Sequence, residues 1–151
     1  MTRLTILHTN DLHGRVGQLT RIAALARKIR NEVKAAGDHC AYIDAGDAED
    51  TTLLESSLTK GSSMNAMLRG AGWEFAALGN AIPIRSGPQA IAAMAKHFGR
   101  PLLCANFFDE TDKLVAGLEP FVIQNFGPLR LGIVGATDPM KIYESIFHLH
   151  P

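Results

Sequence analysis

Three short stretches hold the side chains able to bind a cation or handle a phosphate. "NDLHG" (10–14) carries Asp11 and His13, two residues apart. "DAGDAED" (44–50) carries Asp47 just beyond Gly46, with Asp44 before it, and "LGNAIP" (78–83) carries Asn80 just beyond Gly79. Carboxylate, imidazole and amide oxygen together suit Mn²⁺, Fe²⁺, Zn²⁺ or Mg²⁺, and one carboxylate can bridge two such cations. An extended backbone would point Asp11 and His13 the same way. Singly, each has a plainer reading. A D-x-H pair arises often by chance, a strand-end Asp caps a helix or forms a turn, and Asn after Gly is turn chemistry. Their order, at three successive strand ends, favours the ligand reading over the structural one.

The elements that must position these residues are legible as periodicity. "LTILH" (4–8) is a short apolar β-type run opening into the first polar loop. Leu19, Ile22, Leu25, Ala26, Ile29 and Val33 recur at helical spacing and stop near Gly37. "CAYIDA" (40–45) reads as a second strand, "SSMNAMLRGAG" (62–72) as a short helix and "EFAAL" (74–78) as a third strand. "GPQAIAAMAKHFG" (87–99) is a helix with Pro88 near its first turn, and "PLLCAN" (101–106) is a fourth strand. "PFVIQN" (120–125) and "LRLGIVGA" (129–136) pair across "FGP". Strands alternating with helices predict an α/β sheet, and strand runs that are apolar throughout predict cover on both of its faces. Reactive residues of such folds collect in loops at the carboxyl ends of the strands, where all three stretches lie.

The chain of 151 residues is read as one domain, long enough to bury a core. Fifteen basic residues balance fifteen acidic ones, so no global field draws in nucleic acid or an anionic membrane. Cys40 and Cys104 lie far apart in apolar runs and read as buried, reduced thiols. The opening "MTRLTILHTN" has no leader features, and no run reaches the length of a membrane span. As it stands the chain reads as cytoplasmic, or as a mature or trimmed chain whose leader is gone.

"LTILHTNDLHGR", "IDAGD", "WEFAALGN" and "LGIVGATDP" together resemble the calcineurin-like metallophosphoesterases, specifically the 5′-nucleotidase branch. The resemblance implies the N-terminal half of a four-layer α/β/β/α sandwich, a mainly parallel sheet with flanking helices. It also implies a dinuclear metal site. Asp11, His13 and Asp47 would bind the first metal, Asp47 would bridge, Asn80 would bind the second, and Asn10 would orient the first loop from behind. Members of the branch are often exported.

The sequence departs from the family in two places. The family motif after Gly-Asn is His-Glu-Phe-Asp, whose His, with an Asp partner, assists phosphoryl transfer. Here the block is Ala81, Ile82, Pro83 and Ile84, with one extra residue before "SGP". The catalytic position is therefore an alanine. Family members also continue past this point, into loops with further histidines for the second metal and a nucleoside-binding domain. His148 and His150 follow "ATDP" too soon to replace those histidines and read as a tail. His8 reads as packed or supporting, His39 and His97 as surface positions, and Trp73 and Phe75 as core.

The first metal keeps three predicted ligands and the second only Asp47 and Asn80, so one bound divalent cation is expected more readily than two. Two readings of function follow. One is a metal-dependent phosphoester hydrolase acting on nucleotides or other phosphate esters, weak or inactive as this chain. The other is a non-catalytic module that binds a metal or phosphate, or meets another chain through an uncovered apolar sheet face. That other chain would be a second copy in a homodimer or the missing C-terminal half.

Overall fold

The computed structural model describes residues 2–50 and 53–138. The strands and helices alternate as expected: β1 (Leu4–Thr9), α1 (Val16–Ala35), β2 (His39–Asp44), α2 (Leu54–Leu58), α3 (Ser62–Ala71), β3 (Phe75–Ala76), α4 (Ala81–Ser86), α5 (Ala90–Phe98), β4 (Leu102–Leu103), β5 (Leu118–Glu119), β6 (Phe121–Phe126) and β7 (Leu129–Val134). β1, β2 and β3 pair in that order, all parallel, with Leu4 opposite His39 and Asp44 opposite Ala76. A parallel bridge from Ala77 to Leu103 continues the line to β4, which pairs parallel with β5. The fold is thus mixed α/β, with parallel strands flanked by helices.

One core unites these elements. Leu19, Ala23 and Ala26 of α1, Met64 and Leu68 of α3, and Ile91, Met94 and Phe98 of α5 pack with Tyr42, Ala76 and Leu102 of the strands. Leu25, counted in the helical repeat, instead faces solvent at 59% exposure, because the buried stripe of α1 runs through 19, 23 and 26. Trp73 and Phe75 are core residues, as read from the sequence, and Cys40 and Cys104 are buried free thiols. α3 ends on Gly72 in the left-handed conformation, with Trp73 N–H returning to the Leu68 carbonyl. That turn seats Trp73 against Tyr42 of β2, ring centroids 5.4 Å apart, within hydrogen-bond reach of Thr9 on β1.

The last two strands form an antiparallel hairpin, Phe121 opposite Val134 and Phe126 opposite Leu129, closed by Gly127 and Pro128. It docks on the sheet at both ends. His39 stacks tilted on Phe126 at 6.1 Å, and Ala105 N–H donates to the Gly135 carbonyl at 2.8 Å. His39 is therefore half-buried beneath the hairpin turn and is not the surface residue the sequence suggested, whereas His97 is exposed. His8 corrects another expectation: it is exposed, since residues 6 and 8 of β1 point away from the α1 side. Ile6, on that same face, is exposed at 45%, as are Phe121, Ile123 and Val134 on the hairpin. Three elements went unread, α2, α4 and the two-residue β5, because none is longer than six residues and Pro83 lies inside α4. Among the described residues no helix is long and apolar enough to cross a membrane. His148 and His150 lie outside the described residues.

Candidate metal centre

The three loops leave the carboxyl ends of β1, β2 and β3 and are fastened to one another by backbone. Beyond the β1–β2 ladder, Ala45 N–H donates to the Thr9 carbonyl at 2.7 Å, and Asp11 N–H to that of Gly46 at 3.0 Å. His13 N–H then reaches the Asp47 carbonyl at 3.2 Å and Gly14 N–H that of Ala48 at 2.8 Å. The first loop is thus zipped along the second. The second and third meet through glycine. A Cβ on Gly46 would lie 3.1 Å from the Gly79 Cα, and a Cβ on Gly79 would overlap the Asp47 backbone nitrogen and Oδ1. Gly46 also has φ of +111°, open to glycine alone at low cost.

Five non-glycine residues among those described have positive φ, and three of them are Asp11 (53°), His13 (45°) and Asp47 (54°). Asp and His tolerate this region better than most side chains, yet it still costs about 1 kcal/mol or more each. The extended backbone expected for "NDLHG" is corrected here. The loop curls, and two left-handed residues bring the side chains together instead, His13 Nε2 lying 3.4 Å from Asp11 Oδ1. Both side chains are open to solvent, at 44% and 56% exposure. Asn10, from its exposed position, donates its amide to Asp11 Oδ2 and so orients that carboxylate.

Asp47 and Asn80 form the other pair. With its amide nitrogen inward, Asn80 donates to both Asp47 oxygens, at 3.3 Å to Oδ1; turned over, it offers a carbonyl oxygen to the same point. The Ala81 N–H, opening α4, donates to Asp47 Oδ1 at 3.0 Å. Among the described residues no three His, Cys, Asp or Glu side chains converge on one point. The sequence-predicted donors therefore stand as two pairs, Asp11 with His13 and Asp47 with Asn80, joined by the backbone rungs. Their chemistry fits a divalent cation, and each pair offers two donors.

Sequence reasoning missed the buried carboxyls behind these loops. Asp44, 1% exposed, accepts from the Thr9 hydroxyl at 2.6 Å and from Gly46 N–H at 3.0 Å. Burial raises it to about 6, against the lowering effect of those two bonds, and the charges of Asp47 and Asp11 push the same way. Glu49, 4% exposed, accepts from the Asn65 amide at 2.6 Å, and burial raises it to about 7. The signal for both was present: four carboxylates within "DAGDAED" cannot all face solvent in a loop packed against two others.

Two outcomes follow. Gly79→Ala would displace Asp47 and lower stability by about 1–3 kcal/mol, measured by urea denaturation, with Gly70→Ala, whose Cβ has open space on α3, as the control expected to hold or raise stability. Asp44 and Glu49 keep their protons to higher pH in the fold than in the unfolded chain, where they titrate near 3.8 and 4.5. The folded state therefore binds more protons between about pH 4 and 7, and stability falls as pH rises through that window. In chelator, the melting temperature is expected to drop between about pH 5 and pH 8, and Glu49→Gln, which keeps an acceptor for Asn65, to flatten that drop. An unchanged slope in Glu49→Gln would reject the assignment.

No protein-family model matches the chain. It is 32% identical over 150 residues to a snake venom 5′-nucleotidase of Gloydius brevicauda, an alignment covering 89% of this chain and 25% of that one. It is 25% identical over 146 residues to YunD, an uncharacterised metallophosphoesterase of Bacillus subtilis (strain 168), covering 95% of this chain and 32% of that protein. Its structure is similar to the crystal structure of a 5′-nucleotidase precursor from Thermus thermophilus, with a TM-score of 0.72 and 25% identity over 90% of this chain and 29% of that one. The chain spans about a quarter to a third of the length of these proteins. It is a relative of the 5′-nucleotidases and metallophosphoesterases, matching their N-terminal part in sequence and in fold.

Proposed function

We propose that this chain is the cation-binding N-terminal part of a phosphoester hydrolase, with Asp11, His13, Asp47 and Asn80 as donors and phosphate esters, nucleotides among them, as the substrate class. The observation that carries this reading is backbone strain. Three left-handed non-glycine conformations fall on three of the four candidate donors. Strain of that kind persists where the surroundings over-determine it, and it clusters at functional sites. A divalent cation held there supplies charge neutralisation for phosphoryl oxygens and a water acidic enough to ionise near neutral pH. The solvent exposure of Asp11 and His13 supports their meeting both ion and substrate. Asp47 and Asn80 face each other, both half-buried.

Proton handling is the weak step. Ala81 stands where the related enzymes, by the resemblance above, have a histidine, and its only polar contribution is the N–H it gives to Asp47. A missing general acid costs about 10²–10⁴ in rate, so turnover is expected to be low.

Mn²⁺ titration by calorimetry, alongside hydrolysis of a phosphomonoester and a phosphodiester, tests the reading. Wild type is expected to bind Mn²⁺ and Asp47→Asn to lose it. Ala81→His is expected to raise Mn²⁺-dependent turnover by about tenfold or more. Wild type without Mn²⁺ binding would overturn the reading.

A second reading, an interaction module, is favoured by the exposed Phe121, Ile123 and Val134 on the hairpin and by Ile6 on β1. Here a second copy, or the C-terminal half that the relatives have, covers that face. Light scattering decides for the second copy: a dimer that Ile123→Glu converts to monomer supports it, and a monomeric wild type rejects it.

A further inference from the structure

Behind the candidate donors runs a single line of hydrogen bonds that begins in the core. Trp73 Nε1 donates to Thr9 Oγ1 at 2.9 Å, Thr9 Oγ1 to Asp44 Oδ2 at 2.6 Å, and Gly46 N–H to Asp44 Oδ1 at 3.0 Å. The Gly46 carbonyl then accepts from Asp11 N–H at 3.0 Å. The direction of the line is fixed. Indole can only donate, so the Thr9 hydroxyl must accept from it and spend its one proton on Asp44. Asp44 therefore ties the stem of the first loop, through Thr9, to the hinge glycine of the second.

We infer that Asp44 is a positioning residue whose carboxylate, oriented by Trp73 through Thr9, sets the geometry of the loops carrying Asp11, His13 and Asp47. The inference rests, for its functional meaning, on the cation-binding reading of those loops.

The energetics support this role over a stabilising one. Trp73 and Asp44 are each 1% exposed, and no Lys or Arg ion pair reaches Asp44 among the described residues. Removing a carboxylate from water without a cationic partner costs several kcal/mol, which two hydrogen bonds only partly offset. A carboxylate there is thus a poor way to stabilise the fold. What it adds is direction, one bond to each loop stem, with both acceptor oxygens used.

The test uses the full chain. Asp44→Asn keeps the shape, removes the buried charge and puts an amide N–H₂ against the donor end of the line. It is expected to hold or raise the melting temperature while weakening Mn²⁺ binding by about 10–100-fold, the usual effect of losing a group that orients a metal ligand. Thr9→Val, which cuts the line, is expected to weaken Mn²⁺ to a similar degree, and Thr9→Ser, which keeps the hydroxyl, to restore it. In metal-free protein, amide hydrogen exchange at Asp11 and Gly46 is expected to quicken in Thr9→Val while that at Cys104, bonded to the Glu119 carbonyl, stays unchanged. Unchanged Mn²⁺ affinity in Asp44→Asn, or exchange that quickens equally at all three amides, would overturn the inference. If wild type binds no Mn²⁺, the cation reading fails by itself, and the exchange pattern still decides whether Asp44 positions the loops.

Discussion

Everything at the candidate centre depends on how closely three backbone segments approach beyond the ends of β1, β2 and β3. The first loop is laced to the second by N–H to C=O rungs, and the second meets the third with glycine against glycine at Gly46 and Gly79. No side chain fits between those last two. The consequence reaches Asp47, whose backbone nitrogen and Oδ1 occupy the space a Cβ on Gly79 would need. A parallel sheet makes this convergence available, since its strands all finish at one edge. The glycines turn proximity into contact.

Close packing concentrates both strain and charge. Asp11, His13 and Asp47 pay in left-handed conformations, and Asp44 and Glu49 in desolvation. Among the described residues Asp44 and Glu49 accept from hydroxyl, amide and N–H donors, and neither has a lysine or arginine ion pair. Buried carboxyls without lysine or arginine partners are costly to desolvate, and such perturbed groups mark candidate functional sites. The opening Asn80–Ala81 of α4 adds a neutral amide and an N–H at the Asp47 carboxylate. The likeness to 5′-nucleotidases and a metallophosphoesterase covers 89–95% of this chain, although the chain spans only a fraction of their length.

Much of this was legible in residue order. Every strand but the two-residue β5, and the three long helices, follow from apolar periodicity, and placing the ligand types at successive strand ends needs only the α/β pattern. The short helices were not legible. "AIPIRS" carries a proline, and its helical turn is fixed by the Asp47 carboxylate accepting from Ala81, a contact between residues far apart in sequence. His8 and His39 were misjudged for a related reason. Strand alternation says that neighbours face opposite sides, but only the placement of α1 and of the hairpin says which side is covered.

The sequence by itself determined the α/β alternation, the identity and order of Asp11, His13, Asp47 and Asn80, and the alanine at position 81, because these depend on residue type and local period. Tertiary structure decided how the candidate donors pair, that Asp44 and Glu49 are buried behind them, and that a tryptophan hydrogen-bonds into the line from Thr9 to Gly46. Those are matters of distance and solvent exclusion between segments, and the bonds from Thr9 to Asp44 and from Trp73 to Thr9 span 35 and 64 residues of chain. Local propensity carries no information about them.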